Sequence, residues 1–381
     1  MNVYFDNAAT TKLHPQVLEK MLPYLKEDYG NASAIHSFGR KARVAVEDSR
    51  EIIADLINAE PSEIYFTSGG TESNNFIING IAKTEYLDSG KNKIITSTVE
   101  HHSVLHTFDK LANEGFESKL VPVDEKFKPL ENKIRNEIDE KTSLVSIIHV
   151  NNETGSVFDF DILPNKDYCI HTDAVQSFGK INIDVKKIHI HALSASAHKI
   201  NGPKGIGLAY IKSGTPMESF ILGGGQERNR RAGTENVTSI VGFAEAVKIA
   251  KQELDNNYEK VSKLKKYFTQ QLHKYFADKV LINSYENFSP YILSITFDPQ
   301  YFKNDSEAIL MNLDINGIAA SSGSACTSGT LKPSHVILAS GKSIDYAKGT
   351  LRFSFSVNNS FEEIDFAISK LKKIAELNTN R

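Results

Sequence analysis

The chain of 381 residues has only two cysteines, Cys169 and Cys326, so no disulfide framework organises it. No apolar run approaches the length of a bilayer span. The N-terminus, Met1-Asn-Val-Tyr-Phe-Asp6, has no charged segment followed by an apolar one, so a secretory leader is not expected. A strong excess of one charge is missing too: the net charge is −3, which leaves no basic footprint for nucleic acid or an anionic membrane surface. Repeats and low-complexity segments are absent. What remains is ordinary for a globular protein in a reducing cytoplasm, and the length favours two domains over one.

The hydrophobic pattern alternates between two periods. Helical spacing marks residues 14–29, then Ala42, Ala45, Val46, Ser49, Ile52, Ile53 and Leu56 on one face, then about 72–88 and 102–114. Between and after them lie short apolar runs rich in β-branched residues: Ile64–Thr67, Ile94–Ser97, Leu120–Val123, Leu144–His149, Cys169–Thr172, His189–Leu193 and Ile206–Ile211. This alternation predicts an α/β architecture with a mainly parallel sheet between helices, and ligands of such sheets bind beyond the C-terminal strand ends. A long helical stretch at 238–278 opens a different pattern. Strands at Ile292–Phe297 and Leu351–Val357, helices at 305–315 and 361–377, and a Gly/Ser loop at 321–330 suggest a smaller α+β domain. The expected division is a large domain over 13–255 and a small one over 1–12 and 256–381, carrying the Cys326 loop and Arg352.

The chemistry gathers around Ser194-Ala-Ser-Ala-His-Lys199 and the turn-forming run Ile200-Asn-Gly-Pro-Lys-Gly205. A lysine there is commonly a solvated amine, but three other strand ends change its meaning. Asp173 closes an apolar run, where a helix N-cap is the plain alternative. Gln176 follows it by three residues, within reach of a shared ligand if a helix opens there. Ser68-Gly-Gly-Thr71 opens a probable helix and offers Gly70, Thr71 and free N–H groups to an anion, with Ser196 and His198 as further donors. His101 follows a third strand. Its neighbour His102 invites a zinc reading, but adjacent side chains point apart on a strand or a helix, so no metal is expected. An aldehyde-trapping amine, an acid for a ring nitrogen, a phosphate cradle and a stacking imidazole are the parts of a pyridoxal 5′-phosphate site. Arg352 alternates with Leu351 and Phe353 and suits a substrate carboxylate, with a surface ion pair as the alternative. Cys326, among small residues in Ser321-Ser-Gly-Ser-Ala-Cys-Thr-Ser-Gly-Thr330, reads as an accessible nucleophile, whereas Cys169 reads as buried.

These stretches together resemble the cysteine desulfurases of the NifS/IscS type, in the class V aminotransferase group of pyridoxal phosphate enzymes. The resemblance runs from Tyr4-Phe-Asp-Asn-Ala-Ala-Thr-Thr11 through Thr67-Ser-Gly-Gly-Thr-Glu-Ser-Asn74, Val99-Glu-His-His102, His149-Val-Asn-Asn-Glu153, His171-Thr-Asp-Ala-Val-Gln176, His198-Lys199, Gly223-Gly-Gly-Gln-Glu227, Arg231-Ala-Gly-Thr-Glu-Asn236 and Gly323-Ser-Ala-Cys326 to Arg352-Phe-Ser354. It implies the aspartate aminotransferase-like (type I) fold and a homodimer. It also implies that Lys199 bonds the cofactor and moves the substrate Cα proton, that Asp173 and Gln176 hold the ring, and that Thr71, Ser196 and His198 hold the phosphate. Thr234 is implied to reach that phosphate from the other subunit, Asn152 and Arg352 to hold the substrate carboxylate, and Cys326 to accept sulfur. The implied reaction converts L-cysteine to L-alanine and leaves a persulfide for an acceptor such as an iron–sulfur scaffold protein. Ala197 stands where glycine is frequent in the family, and a longer C-terminal tail found in some members is not seen before Arg381. The alternatives are a pyridoxal phosphate aminotransferase or lyase, including a selenocysteine lyase, without an obligatory persulfide, and a silent scaffold that would need none of these residues.

Overall fold

The structure, a computed structural model, describes residues 1–164, 167–323 and 332–379. Twelve strands occur among them, β1 Val3–Tyr4, β2 Ile64–Thr67, β3 Lys93–Ser97, β4 Glu117–Val121, β5 Thr142–Ser146, β6 Cys169–Asp173, β7 Ala192–Ser196, β8 Gly207–Ile211, β9 Val280–Ile282, β10 Ile292–Phe297, β11 Ile318–Ala319 and β12 Thr350–Ser354. The first four helices are α1 Pro15–Lys26, α2 Ser37–Leu56, α3 Gly70–Ser89 and α4 His102–Asn113.

Strands β2 to β8 form one seven-stranded sheet in the order β2-β8-β7-β6-β5-β3-β4. Only β8 runs against its neighbours. Period-two alternation feeds both faces of this sheet. Ile95, Val145, Ile170, Leu193 and Leu208 point into one core, with α2 and the helix Val237–Gln252. Their strand neighbours Ile94, Leu144, Cys169, Ala192 and Ala209 point into another, with α3 and α4. Such near-continuous apolar strands are what a sheet covered on both sides requires.

A further core gathers Val3 and Phe5 with residues from Val261 to Ala375. It covers the three-stranded antiparallel sheet β12-β10-β9. Phe268 is fully buried there, 5.0 Å from the Phe353 ring and 5.9 Å from Phe5, and burying one such ring contributes about 1.5–3 kcal/mol. The N-terminal segment therefore packs with distant parts of the chain: β1 pairs with β11, and Asp6 bridges Ser354.

The strand ends shift by a few residues from the pattern-based expectation. β7 begins at Ala192 rather than His189 and reaches Ser196, because the residues before it turn on themselves, with the Ile188 N–H on the Asp184 carbonyl and the Ile190 N–H on the Ile188 carbonyl. β4 begins at Glu117, and β5 ends at Ser146. The helical stretch at 238–278 is two helices, Val237–Gln252 and Leu254–Phe276, broken at Glu253 (φ −106°, ψ 8°). No helix opens at Gln176; residues 175–180 are a succession of turns, with Gly179 at φ +68°. Among the described residues no helix is long and apolar enough to cross a membrane.

Candidate active site

Several of the polar candidates owe their place to the end of a strand. Asp173 is the last residue of β6 and is buried. Its Oδ1 accepts from the Val175 N–H at 3.0 Å, and its Oδ2 accepts from Asn74 Nδ2 at 2.7 Å. The second hydrogen of Asn74 Nδ2 goes to Ser103 Oγ at 2.8 Å, and Ser103 Oγ lies 2.7 Å from His101 Nδ1. The result is a buried relay from Asp173 through Asn74 and Ser103 to His101.

His101 is the N-cap of α4, and its Nδ1 also accepts the Ser103 N–H at 3.1 Å. The neutral ring therefore carries its proton on Nε2. Burial pushes its basicity below the usual histidine range, Asp173 opposes that shift, and Lys199, His102 and His335 add to it. Beside it, Glu100 is fully buried, which pushes its carboxyl up to about 8 although Ser97 donates to it.

Lys199 closes a single 3-10 turn, Ala197–Lys199, directly after β7. Its Nζ donates to the carbonyls of Ala8 at 2.6 Å and Ala9 at 2.7 Å. Gln176 Nε2 donates to the same Ala8 carbonyl at 2.9 Å. His198 Nδ1 lies 3.2 Å from Thr10 Oγ1, and burial, with Lys199, Lys180 and Lys204 nearby, pushes its ring down to about 4.

The start of α3 is shaped by two glycines. Gly69 sits at φ +152°, where other residues are strained, and caps the helix without a side-chain hydrogen bond. A Cβ on Gly70 would come within 2.5 Å of Val175 Cγ2. Arg352, buried in β12, pairs with Asp6 at 2.9 Å and donates to the Asn152 carbonyl at 2.9 Å and to Ser321 Oγ at 2.6 Å.

One cavity of ≈ 320 Å³ gathers these groups: Gly70, Thr71, His101, Asn152, Asp173, Gln176, Ser196, His198, Lys199 and Arg352 all line it, together with Asp6, Asn74, Ser103 and Gly323. Thr234 does not. It is exposed and lines a second cavity, of ≈ 220 Å³, with Ser68 and Arg231. Cys326 lies outside the described residues. The N-cap alternative for Asp173 fails because no helix follows it, and the surface-pair alternative for Arg352 fails because the arginine is buried. His102 stacks with His106 at 5.1 Å and lies 4.7 Å from His335, away from the lining of the cavity. Sequence reasoning missed Asn74, Ser103 and Asp6. Asn74 had a usable signal, one turn after Gly70 on the same helix face.

The sequence model of the family Aminotransferase class-V matches residues 3–366. Cysteine desulfurase IscS of Dictyoglomus turgidum is 42% identical over 379 residues, 98% of this chain and 94% of that protein. The chain belongs to the class V aminotransferases, as a cysteine desulfurase of the NifS/IscS type. A solved NifS-like protein superposes on this desulfurase with a TM-score of 0.91 at 36% identity, covering 99% of this chain and all of the other. SspA, solved in complex with cysteine, has a TM-score of 0.81 at 34% identity and covers 94% of this chain and all of SspA. The fold is accordingly that of the type I pyridoxal phosphate enzymes, and the family works with that cofactor. The residues here fit it. Gly70 leaves a cradle that a Cβ would fill, Asp173 offers a buried carboxylate, and the buried Asn74 Oδ1 and Arg352 Nε have no hydrogen-bond partner among the described residues.

Proposed function

We propose that this desulfurase holds pyridoxal 5′-phosphate on Lys199, removes sulfur from L-cysteine and passes it to the Cys326 thiol. The reading is carried by the convergence of Lys199, Asp173, Arg352 and the first turn of α3 on one cavity. When bound, the cofactor supplies a sink for the electron pair released at the substrate Cα.

The remaining work falls to the chain. Asp173, held by Asn74 and the Val175 N–H, would keep a pyridine nitrogen protonated. Gln176 would hold the ring's phenolic oxygen. Gly70, Thr71, Ser196 and His198 would hold the phosphate, with Thr234 supplied by a second copy of the chain in a homodimer. Asn152 and Arg352 bind the substrate carboxylate. Lys199 moves the proton at Cα, and His101 lines the same cavity, where its Nε2–H can donate. The Cys326 thiolate then attacks the substrate sulfur: an S–S bond forms, the Cβ–S bond breaks, and the carbon takes up a proton. One cysteine thus yields one alanine and one persulfide. An acceptor protein, such as an iron–sulfur scaffold, takes the sulfur onward, and the need for a free thiol suits a reducing cytoplasm.

The test is to give purified protein L-cysteine and measure alanine and sulfide with and without reductant. Without reductant the peptide containing Cys326 should gain one sulfur by mass spectrometry. Borohydride should fix the cofactor to the peptide containing Lys199; fixation on another lysine would sink the assignment.

A further inference from the structure

Behind Lys199 lies a buried amine with no part in the mechanism above. Lys180 is 8% exposed and lines a small cavity of ≈ 60 Å³ with Lys199 and Tyr291. Its Nζ sits 5.4 Å from the centre of the Tyr291 ring and 3.3 Å from Gln176 Oε1. The charged or titratable groups around it are Lys199, Arg352, His198, His14 and Tyr291, with no carboxylate among them. Burial, with the Lys199 and Arg352 charges, pushes this amine down to about 7. A buried cation without a carboxylate partner is costly, and hydrophobic replacement at this point would be easier to accommodate.

What Lys180 does there follows from donor and acceptor logic. The Lys180 amine carries N–H donors in either charge state, and a carbonyl oxygen only accepts. Lys180 therefore takes the oxygen end of the Gln176 amide, and the nitrogen end goes to the Ala8 carbonyl, which also receives Lys199 Nζ at 2.6 Å. An amide –NH2 has two hydrogens, so one remains for the cavity that Gln176 lines. Without Lys180 the amide loses the anchor on its oxygen and can turn.

We propose that Lys180 is a positioning residue for the reaction, holding the Gln176 amide so that it offers a donor, not an acceptor, to the ligand in the cavity. The inference rests on the reading of that cavity as a pyridoxal phosphate site.

The test is a pH titration of the visible absorbance of the cofactor-loaded protein, comparing wild type, Lys180→Met, Gln176→Met and the double variant. Loss of a donor near the ring makes the ring oxygen and its linkage to lysine more basic, so the absorbance midpoint of Lys180→Met should rise by about one pH unit. If Lys180 acts through Gln176, the double variant should match Gln176→Met, with no added shift. Lys180→Met should remain folded, because methionine has similar length and removes a buried charge; its thermal midpoint reports this directly. An unmoved absorbance midpoint in a folded, cofactor-loaded variant overturns the inference, as does a shift that persists in full on Gln176→Met. A wild-type protein that takes up no cofactor overturns the reading of the cavity itself, and this inference with it.

Discussion

At the C-terminal ends of the large sheet, Asp173, Ser196 and Lys199 face one cavity of ≈ 320 Å³. At the opposite end, Asp167, Cys169, His189, His191 and Lys212 line another, of ≈ 490 Å³. Both ends hold acids, imidazoles and an amine. They differ in what those groups bond. At the lower end Asp167 pairs with Lys91 at 2.7 Å while its own side chain is fully exposed, a screened pair worth little. His191 spends its ring nitrogen on the Ile170 N–H, closing the sheet rather than facing a ligand. At the upper end the polar atoms bond one another, from Asp173 to Asn74, Ser103 and His101, in a buried setting where each contact is stronger. The uncapped start of α3 also lies at the upper end, and its dipole favours an anion there. Residue type alone does not make a site; direction of the chain and burial do.

The sharpest way to break that comparison is to exchange lysines. Lys199→Ala should lower alanine release from cysteine by about 10³-fold or more and abolish borohydride fixation of the cofactor. Lys212→Ala, at the lower end, should leave both unchanged. Equal losses in the two variants would erase the distinction.

The cysteines test it next. Cys326→Ala should keep the bound cofactor and lose almost all sulfide and alanine production, whereas Cys169→Ala should work at nearly the wild-type rate. Burial pushes the Cys169 thiol up to about 12, so iodoacetamide at pH 8 should label the Cys326 peptide and spare Cys169. If Cys326→Ala releases alanine at the wild-type rate, the lyase reading replaces the persulfide one.

Thr234, which is absent from the upper cavity of its own chain, calls for a complementation test. Mixing Lys199→Ala with Thr234→Ala subunits places both lesions in one site of each heterodimer and leaves the other intact, so activity should reappear after exchange. Verified exchange without recovery would count against shared sites.

Smaller in effect is an acid-dependent loss of stability centred on His171. Its ring bonds Ser146 and Ser194 in the sheet, and burial pushes it down to about 3. The unfolded chain binds a proton there below about pH 6.5 while the folded chain does not. Stability from this residue is thus fully present above pH 6.5 and falls as pH drops toward 3, by about 1.4 kcal/mol per unit at most. Denaturant titrations from pH 7 to 4 should give a shallower slope for His171→Gln; an identical slope removes this residue from the acid transition. Last, Cys169→Ala should cost about 1 kcal/mol of stability with no kinetic effect, measured by the same titrations.

Much of the upper rim could be read from local pattern. The apolar runs before Asp173 and Ser196 and the glycines before α3 mark strand and helix ends, and ends are set by nearby residues: turn formers, caps and the loss of alternation. The NifS/IscS motifs then tied Lys199, Asp173 and Arg352 to one chemistry. Strand ends themselves slipped by up to three residues at β7, because Ile188 and Ile190 spend their N–H groups on turns within their own segment, which apolar character alone does not reveal.

Composition, periodicity and motif spacing by themselves determined the α/β class, the strand-end position of Lys199 and Asp173, and the division of the two cysteines into one in a strand and one among small residues. The partners were decided only in three dimensions. Asn74 meets Asp173 across 99 residues of chain, and Arg352 meets Asp6 across 346. Lys180 is only four residues from Gln176, yet the amide it holds is fixed at the other end by Ala8, 168 residues away. Side-chain direction follows from the local period of the backbone, but which group stands opposite depends on sheet order and on the return of the N-terminal segment. Those are products of packing the whole chain at once.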